Sequence, residues 1–323
     1  MESGVSRRDV LAVLGGSLAL LGAGNATADD ALPVLRVGVI PIFAVAPHYA
    51  AQKFGFYAAE GVDARTQIVQ GGAVGIPGLV SGSFDILYCN SISFLTALER
   101  GIDLRIVAEA TTIGTKPPDF DALFKRKGDD LHSGKDLEGK VIAINAKFDL
   151  MWLVMQGWVK KTGGDLDKIT YREVPIPSML DALKNHEVDA ALVLDPFMTI
   201  ALDNPNFEVL AWPSSMVMPN MPSSLWIVSG VTADTKTDAI RAYVRAFRKG
   251  VQWVNANLGN PEFLELVSSY TKTDVKLLAK MYDTTQPTKI SLDALNRLVA
   301  ICQDYGILKT KVDVASKIFA MPT

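Results

Sequence analysis

The sequence predicts an α/β protein built as two lobes. Its 323 residues exceed the usual size of a single domain, which favours two. The β-branched run 37–40 predicts a buried parallel strand, and Pro41 ends it. After a loop containing Phe43 and Ala44, residues 48–55 predict an amphipathic helix that begins near Pro47. A strand, a loop and a helix N-terminus in this order predict a ligand site beyond the strand end, with Phe43 and Ala44 as candidate contacts.

The composition excludes several classes of function. The formal net charge is −3, and no basic cluster of the kind that binds nucleic acid is present. With 3 histidines and 2 distant cysteines, Cys89 and Cys302, the sequence predicts no structural zinc site. A disulfide between these cysteines is one alternative, and two buried thiols is the favoured one. The sequence carries no cofactor motif, and we expect no cofactor.

The first 28 residues predict export. Residues 6–11, SRRDVL, resemble the twin-arginine export motif, and an apolar run over 10–24 follows. The small-x-small stretch 26–28 then predicts a cleavage site after Ala28. The apolar run is short for a transmembrane helix, so a weak membrane anchor is the lesser alternative. We therefore expect a soluble periplasmic protein.

In the first lobe, polar and small residues follow the predicted strands. A strand at 62–69 leads to Gly72 and Ala73, which favour either close approach to a ligand or only a tight turn. Asn90 and Ser91 stand between a strand and the helix 92–100, where they would cap the helix or contact a ligand. Thr111 follows the strand at 107–110 and is a further candidate contact.

The second lobe repeats this arrangement after a crossover at 116–118. The strand 141–145 leads through Lys147, Phe148 and Asp149 into a helix predicted over Leu150–Lys161. We expect Lys147 to pair with an anion and Phe148 to stack on a ring, with Asp149 beside them at the helix N-terminus. Asp195 ends another strand, where it would bind an amino group or cap the helix 198–202.

The chain then returns to the first lobe. The stretch 213–224 is rich in proline and methionine, which predicts no regular structure and an apolar ligand wall containing Met218 and Met221. A strand at 224–229 and a long helix at 239–257, capped by Thr232 or Asp234, follow. Three more helices at 261–270, 273–282 and 292–305 complete this lobe.

Three stretches resemble one family. They are FGFYAAEGVD at 54–63, DLEGKVIAIN at 136–145 and EVDAALVLDPF at 187–197. Together they resemble the periplasmic solute-binding proteins of ABC importers, in particular the NMT1/THI5-like and SsuA/TauA-like group that binds nitrate, sulfonates, taurine and thiamine precursors. The resemblance implies a type II periplasmic-binding-protein fold, in which each lobe is a mixed sheet flanked by helices and the ligand lies in the interlobe cleft. It places 29–117 and 225–323 in lobe 1, and 118–224 in lobe 2.

The resemblance also implies a function. We expect a monomeric receptor without catalytic or metal-binding residues, which closes by hinge motion on a small molecule and docks on an ABC permease. An aromatic carboxylate or a sulfonate ranks first as ligand and a thiamine-type pyrimidine second. A sensor for a kinase is an alternative role. The thiamine-pyrimidine synthases of the same fold carry a cysteine-rich motif, which this sequence lacks, so an enzyme is the lesser alternative.

Overall fold

Two mixed five-stranded sheets organise the chain. The computed structural model describes residues 31–119, 121–281 and 285–322, and the predicted export signal lies outside them. Among the described residues, no helix has the length and apolar character needed to cross a membrane. Cys89 and Cys302 are both buried free thiols, in agreement with the favoured alternative.

The strands fall into two groups along the chain. Those of the first sheet are β1 (Val34–Val39), β2 (Asp63–Ile68), β3 (Ile86–Asn90), β4 (Leu104–Thr112) and β10 (Pro222–Ser229). Those of the second sheet are β5 (Asp121–Arg126), β6 (Val141–Ile144), β7 (Thr170–Glu173), β8 (Ala190–Leu194) and β9 (Phe207–Ala211). The chain therefore passes between the sheets twice, after β4 and before β10.

Helices connect and cover these strands. In the first part of the chain they are α1 (Ala46–Lys53), α2 (Phe56–Ala59), α3 (Gly72–Val80), α4 (Ser91–Glu99), α5 (Leu150–Lys161), α6 (Met179–Lys184) and α7 (Phe197–Leu202). The later helices are α8 (Pro213–Val217), α9 (Gly230–Thr235), α10 (Thr237–Asn257), α11 (Pro261–Thr271), α12 (Val275–Leu278) and α13 (Leu292–Asp304). The bounds of α5 are those that the sequence predicts.

Both sheets follow one scheme. In the first, with order β2-β1-β3-β10-β4, β1 is parallel to β2 and β3, and β10 is antiparallel to β3 and β4. In the second, with order β7-β6-β8-β5-β9, β6 is parallel to β7 and β8, and β5 is antiparallel to β8 and β9. The carboxyl ends of parallel strands lie at one edge of a sheet, so each sheet presents its strand ends and helix N-termini together.

The expectation of irregular structure at 213–224 is wrong. Pro213 lies in the first turn of α8, where its missing N–H removes no helical hydrogen bond. Pro222 is the first residue of β10, another position that tolerates proline. Met218 and Met221 are buried in the hydrophobic core. Proline density therefore marked the beginnings of two regular elements.

The predicted cap of the long helix is also wrong. A separate short helix, α9, precedes α10, and the Ser229 hydroxyl caps it by accepting from the N–H of Thr232. Lys236 is the N-cap residue of α10 and its side chain makes no capping hydrogen bond. Thr232 lies inside α9 and Asp234 near its end, and the chain turns between α9 and α10. Neither residue therefore caps α10.

Candidate functional site

A cavity lies where the strand ends of the two sheets face each other. The first-sheet half contributes Ile40, Ile42, Phe43, Ala44, Gly72, Tyr88, Asn90, Thr111, Ser223 and Ser224 to its lining. The second-sheet half contributes Asn145, Asp149, Leu150, Met151, Ile176, Leu194 and Asp195. About 60 Å³ is open to the centre of a water molecule, enough for a few waters. Both halves of the fold therefore build one site.

Three polar lining residues accept hydrogen bonds from the first turns of helices: Asn90 and Asp149 as N-cap residues, and Asp195 from the position before the N-cap residue Pro196. Asn90 Oδ1 accepts from the Ser93 N–H at 2.8 Å, and Asp149 Oδ1 accepts from the Trp152 N–H at 3.2 Å. Asp195 Oδ1 accepts from the N–H and the hydroxyl of Thr199, at 3.0 and 2.6 Å. Capping fixes where these side chains lie. For Asn90 and Asp195, a capping role and a place in the cavity wall therefore occur together.

Asp149 and Asn145 leave acceptor capacity in the wall. Asp149 is 1% exposed, and its Oδ2 makes no hydrogen bond of normal geometry among the described residues, although the side chain of Asn145 and the backbone of Met151 lie close enough to the carboxyl to oppose the rise of its pKa. The side-chain oxygen of Asn145 is buried and without a partner in the same part of the chain. Burial raises the pKa of Asp149 to about 7 and that of Asp195 to about 6, because desolvation disfavours the charged form. Unpartnered buried acceptors favour a ligand that donates hydrogen bonds.

Hydroxyl groups form the opposite wall. The hydroxyl of Thr111 lies 2.5 Å from that of Ser223 and also contacts that of Ser224. Tyr88 lies beside them, and burial raises its pKa to about 12, so its phenol stays protonated at neutral pH. Hydroxyls both donate and accept. This wall therefore suits a neutral polar edge of a ligand.

No cationic side chain completes the site. The described lining residues include no lysine, arginine or histidine. Lys147 is exposed, and its backbone N–H donates to Glu173 at 2.7 Å. Phe148 is 54% exposed, has φ +59°, and packs on Trp152 with ring centroids 5.0 Å apart. Both side chains lie outside the lining, so the wall that contains Asp149 is acidic.

The predicted contacts divide into two groups. Seven of them line the cavity, namely Phe43, Ala44, Gly72, Asn90, Thr111, Asp149 and Asp195. The others lie outside the lining, namely Ala73, Ser91, Lys147, Phe148, Met218 and Met221. The main polar residues missed are Asn145, Tyr88, Ser223 and Ser224. A signal existed for Asn145, which follows β6 directly.

Gly72 occupies a position with no room for a side chain. A Cβ atom there would lie 2.7 Å from the Cα of Cys89 and 3.1 Å from the backbone nitrogen of Asn90. Both are backbone atoms of β3, which cannot move like the end of a side chain. Gly72 therefore brings the N-terminus of α3 against the strand that carries Asn90, a close approach between two backbone segments that a side chain would prevent.

Because the pKa of Asp149 is raised, the stability of the protein should depend on pH. Its folded pKa of about 7 lies above the unfolded value near 3.9, so the folded state binds more protons between these pH values. The contribution of Asp149 to the free energy of unfolding therefore falls as pH rises through that window. Asparagine does not titrate, so Asp149→Asn should remove this fall. We expect the free energy of unfolding of the variant, relative to that of wild type, to increase by roughly 2–4 kcal/mol between pH ~4 and pH ~8. Urea unfolding at several pH values measures it.

The exposed Asp167, which lies in the same half of the chain, provides the matched control. Asp167→Asn removes a carboxylate from an exposed position and should change the free energy of unfolding by no more than about 0.5 kcal/mol. A constant difference between Asp149→Asn and wild type across the window would contradict the assignment.

Comparisons with known proteins agree with this geometry. A sequence model of the family described as NMT1/THI5 like matches residues 42–261. No curated protein sequence gives a significant match. Among solved structures, the fold is similar to the periplasmic aliphatic sulphonate binding protein SsuA from Escherichia coli, with a TM-score of 0.70 and 16% identity over 89% of this chain and 97% of that chain.

Two further structures show the same likeness. The alkanesulfonate-binding protein SsuA from Xanthomonas axonopodis pv. citri, bound to MOPS, gives a TM-score of 0.73 at 17% identity over 88% of this chain and 97% of that one. The periplasmic nitrate-binding protein NrtA from Synechocystis PCC 6803 gives 0.70 at 15% identity, over 88% and 85%. At these identities the likeness shows the fold, which confirms the predicted periplasmic-binding-protein architecture.

Proposed function

This chain belongs to the NMT1/THI5-like family, and from that premise we propose that it is the solute-binding receptor of an ABC importer. The observation that carries the proposal is a cavity lined by strand ends of both sheets. An organic ligand needs more room than the cavity offers, so the two halves separate to admit it and close around it. The closed, loaded receptor then delivers the ligand to a membrane permease.

The two sheets support the two-lobe division predicted from the sequence. We assign 29–117 and 222–323 to lobe 1 and 118–221 to lobe 2, with the hinge in the connections after β4 and before β10. The second boundary lies three residues before the one predicted at 225, because β10 of the first sheet begins at Pro222. The segments 113–119 and 212–221 make these connections. The N–H of Ile113 donates to Met221 O at 2.8 Å, and that of Asn220 donates to Ile113 O at 3.1 Å. The two hinge segments therefore run side by side, as a single bending axis requires.

The wall chemistry favours a ligand with an amino edge and an apolar, ring-sized body. Asp149, Asp195 and Asn145 offer acceptors on one side, and Ile42, Phe43 and other apolar residues cover much of the rest. A protonated ring nitrogen, or an amino group on a ring carbon, donates to such carboxylates. An aminopyrimidine, the second-ranked ligand of the sequence, meets these conditions better than an anion does. We therefore propose an aminopyrimidine-type ligand.

An organic anion is the second candidate. The two SsuA proteins are described as sulfonate-binding proteins and NrtA as a nitrate-binding protein. In this chain α3 begins at Gly72, which lines the cavity, and has no side-chain cap, so its first N–H groups can donate to an anion. Against this candidate stand the two buried carboxyl groups, whose charged forms repel an anion.

Thermal unfolding with matched ligands tests the proposal. We expect 4-amino-2-methylpyrimidine to raise the melting temperature, while the same ring with hydroxyl in place of the amino group raises it far less. A ligand at a hundred times its dissociation constant stabilises by roughly 2.7 kcal/mol, which moves the melting temperature by several degrees. Stabilisation by butanesulfonate instead of either pyrimidine would favour the second candidate. The protein is unfolded and refolded first, which removes any ligand carried through purification.

Cellular location and partners follow from the same proposal. We propose export to the periplasm by the twin-arginine-type signal at 6–28 and action as a monomer without cofactor. The residues described hold no cluster of side chains suited to a metal ion. The absence of the cysteine-rich motif of the related synthases supports a binding protein over an enzyme.

A further inference from the structure

A second cavity lies on the first-sheet half of the molecule. About 430 Å³ is open to the centre of a water molecule, within the range of roughly 300–1,000 Å³ typical of ligand sites. Its lining comes from 107–109, from 247–252, from 287–290 and from 318–321. None of these residues lines the first cavity. The two cavities are therefore separate.

Four elements build this second cavity. The edge strand β4 and the helix α10 supply two walls, and 287–290 and the C-terminal tail 318–321 supply the others. Backbone pairing holds the tail, because Ile318 bridges Ile106 and the N–H of Phe319 donates to Ile106 O at 2.8 Å. The tail thus covers the edge of the sheet without filling the space between sheet and helix.

The interior of the cavity is apolar. Val107, Phe247 and Val251 are buried, and Ile290, Ile318, Phe319 and Met321 are half-buried around them. The one acid in the lining, Glu109, is already satisfied: Oε1 accepts from the Thr112 hydroxyl at 2.6 Å and Oε2 from the Ser291 N–H at 3.1 Å. The carboxylate therefore offers little to a ligand, and the floor suits a hydrocarbon body.

The rim carries positive charge. Arg248 and Lys289 are exposed lining residues, and neither has an acidic partner within the described part of the chain. The other basic residues of α10 are paired: Arg241 with Asp238, and Arg245 and Lys249 with Glu60. Arg248 and Lys289, two cations without acidic partners among the described residues, thus lie at the rim of the same apolar cavity.

We propose that this cavity binds an amphiphile with one anionic head and a medium-length aliphatic chain. The chain enters between α10 and the tail, and a carboxylate or sulfonate head stays at the rim with Arg248 and Lys289. Apolar burial supplies the affinity and the two cations select the charge of the head. The site does not depend on the proposed receptor function, because no residue is shared between the cavities.

Fluorescence titration with dansyl-aminoundecanoate tests this proposal. We expect saturable binding that weakens at least about tenfold when Arg248→Ala and Lys289→Ala are combined. Ala320→Trp, which fills the cavity from an exposed tail position, should weaken binding by a similar factor without disturbing the core. The methyl ester of the probe should bind wild-type protein about tenfold more weakly than the acid.

Two controls make the result decisive. Lys276→Ala combined with Lys311→Ala removes the same charge from exposed positions outside the lining and should leave the affinity unchanged. Asp149→Asn, in the first cavity, should also leave it unchanged. Absence of saturable binding, equal affinity in the Ala320→Trp protein, or loss of binding on Asp149→Asn would each overturn the proposal.

Discussion

Asp149→Asn is expected to weaken binding of an aminopyrimidine by about a hundredfold, the loss of one buried charge-assisted hydrogen bond. Asparagine keeps an oxygen that can accept from the Trp152 N–H, so the cap of α5 is preserved. The change replaces Oδ2, the acceptor without a partner, by an NH₂ group that faces the donor of the ligand. Isothermal titration of refolded protein measures the affinity directly.

Asp195→Asn should have a smaller effect, about tenfold, because Oδ1 of Asp195 is already engaged by Thr199. Asp167→Asn, which alters charge equally at an exposed site, should leave the affinity unchanged. The effect on the aminopyrimidine itself tests the proposal. If the Asp149→Asn protein binds an aminopyrimidine as tightly as wild type does, the aminopyrimidine proposal fails.

The sequence predicted the strand ends of this site well. Asn90, Asp149 and Asp195 each lie between a short apolar run and a helical pattern, and all three line the cavity. The reason is physical, since a residue between a strand and a helix is both a natural N-cap and a neighbour of the shared edge of a parallel sheet. For these three residues, the local sequence pattern therefore also predicts the position in the fold.

The orientation of neighbouring side chains could not be predicted in the same way. Lys147, Phe148 and Asp149 are consecutive, and a helix N-terminus alone does not tell which of them points inward. Phe148 adopts φ +59°, a left-handed conformation that is rare for an aromatic residue and that sequence patterns seldom reveal. The charge of the ligand was therefore inferred from Lys147, whereas the cavity wall contains Asp149.

Ser223 and Ser224 were missed for a different reason. They lie at the start of β10, which enters the first sheet between β3 and β4. Their neighbours in the cavity, Thr111 and Tyr88, are more than a hundred residues earlier in the chain, and Thr111 pairs with Ser223 at a separation of 112 residues. Local sequence carries no record of such a pairing, which only the topology of the sheet establishes.

Gly250→Ala is expected to destabilise the protein by about 2–3 kcal/mol, the cost of overpacking a fixed contact. A Cβ atom at Gly250 would lie 2.1 Å from the carbonyl oxygen of Pro47 and 3.3 Å from the Cβ of Ala51. Helix α10 must then move away from α1, because the atom met first is backbone. The 3-10 turn that precedes α1 carries Phe43 and Ala44, so this displacement also reaches the cavity wall.

Urea unfolding distinguishes this packing effect from a loss of helix propensity. Alanine favours a helix over glycine by roughly 1 kcal/mol, so an increase in stability would show that α1 and α10 adjust freely. We expect instead a lower midpoint with an unchanged slope, the mark of a native state that has lost stability but not compactness. Gln252→Ala, at an exposed position of the same helix, should stay within about 0.5 kcal/mol of wild type. Helix α1 begins directly after the turn that carries the cavity residues Phe43 and Ala44. The Gly250→Ala protein should therefore also bind its ligand more weakly, which would link the packing of a buried glycine to the geometry of the site.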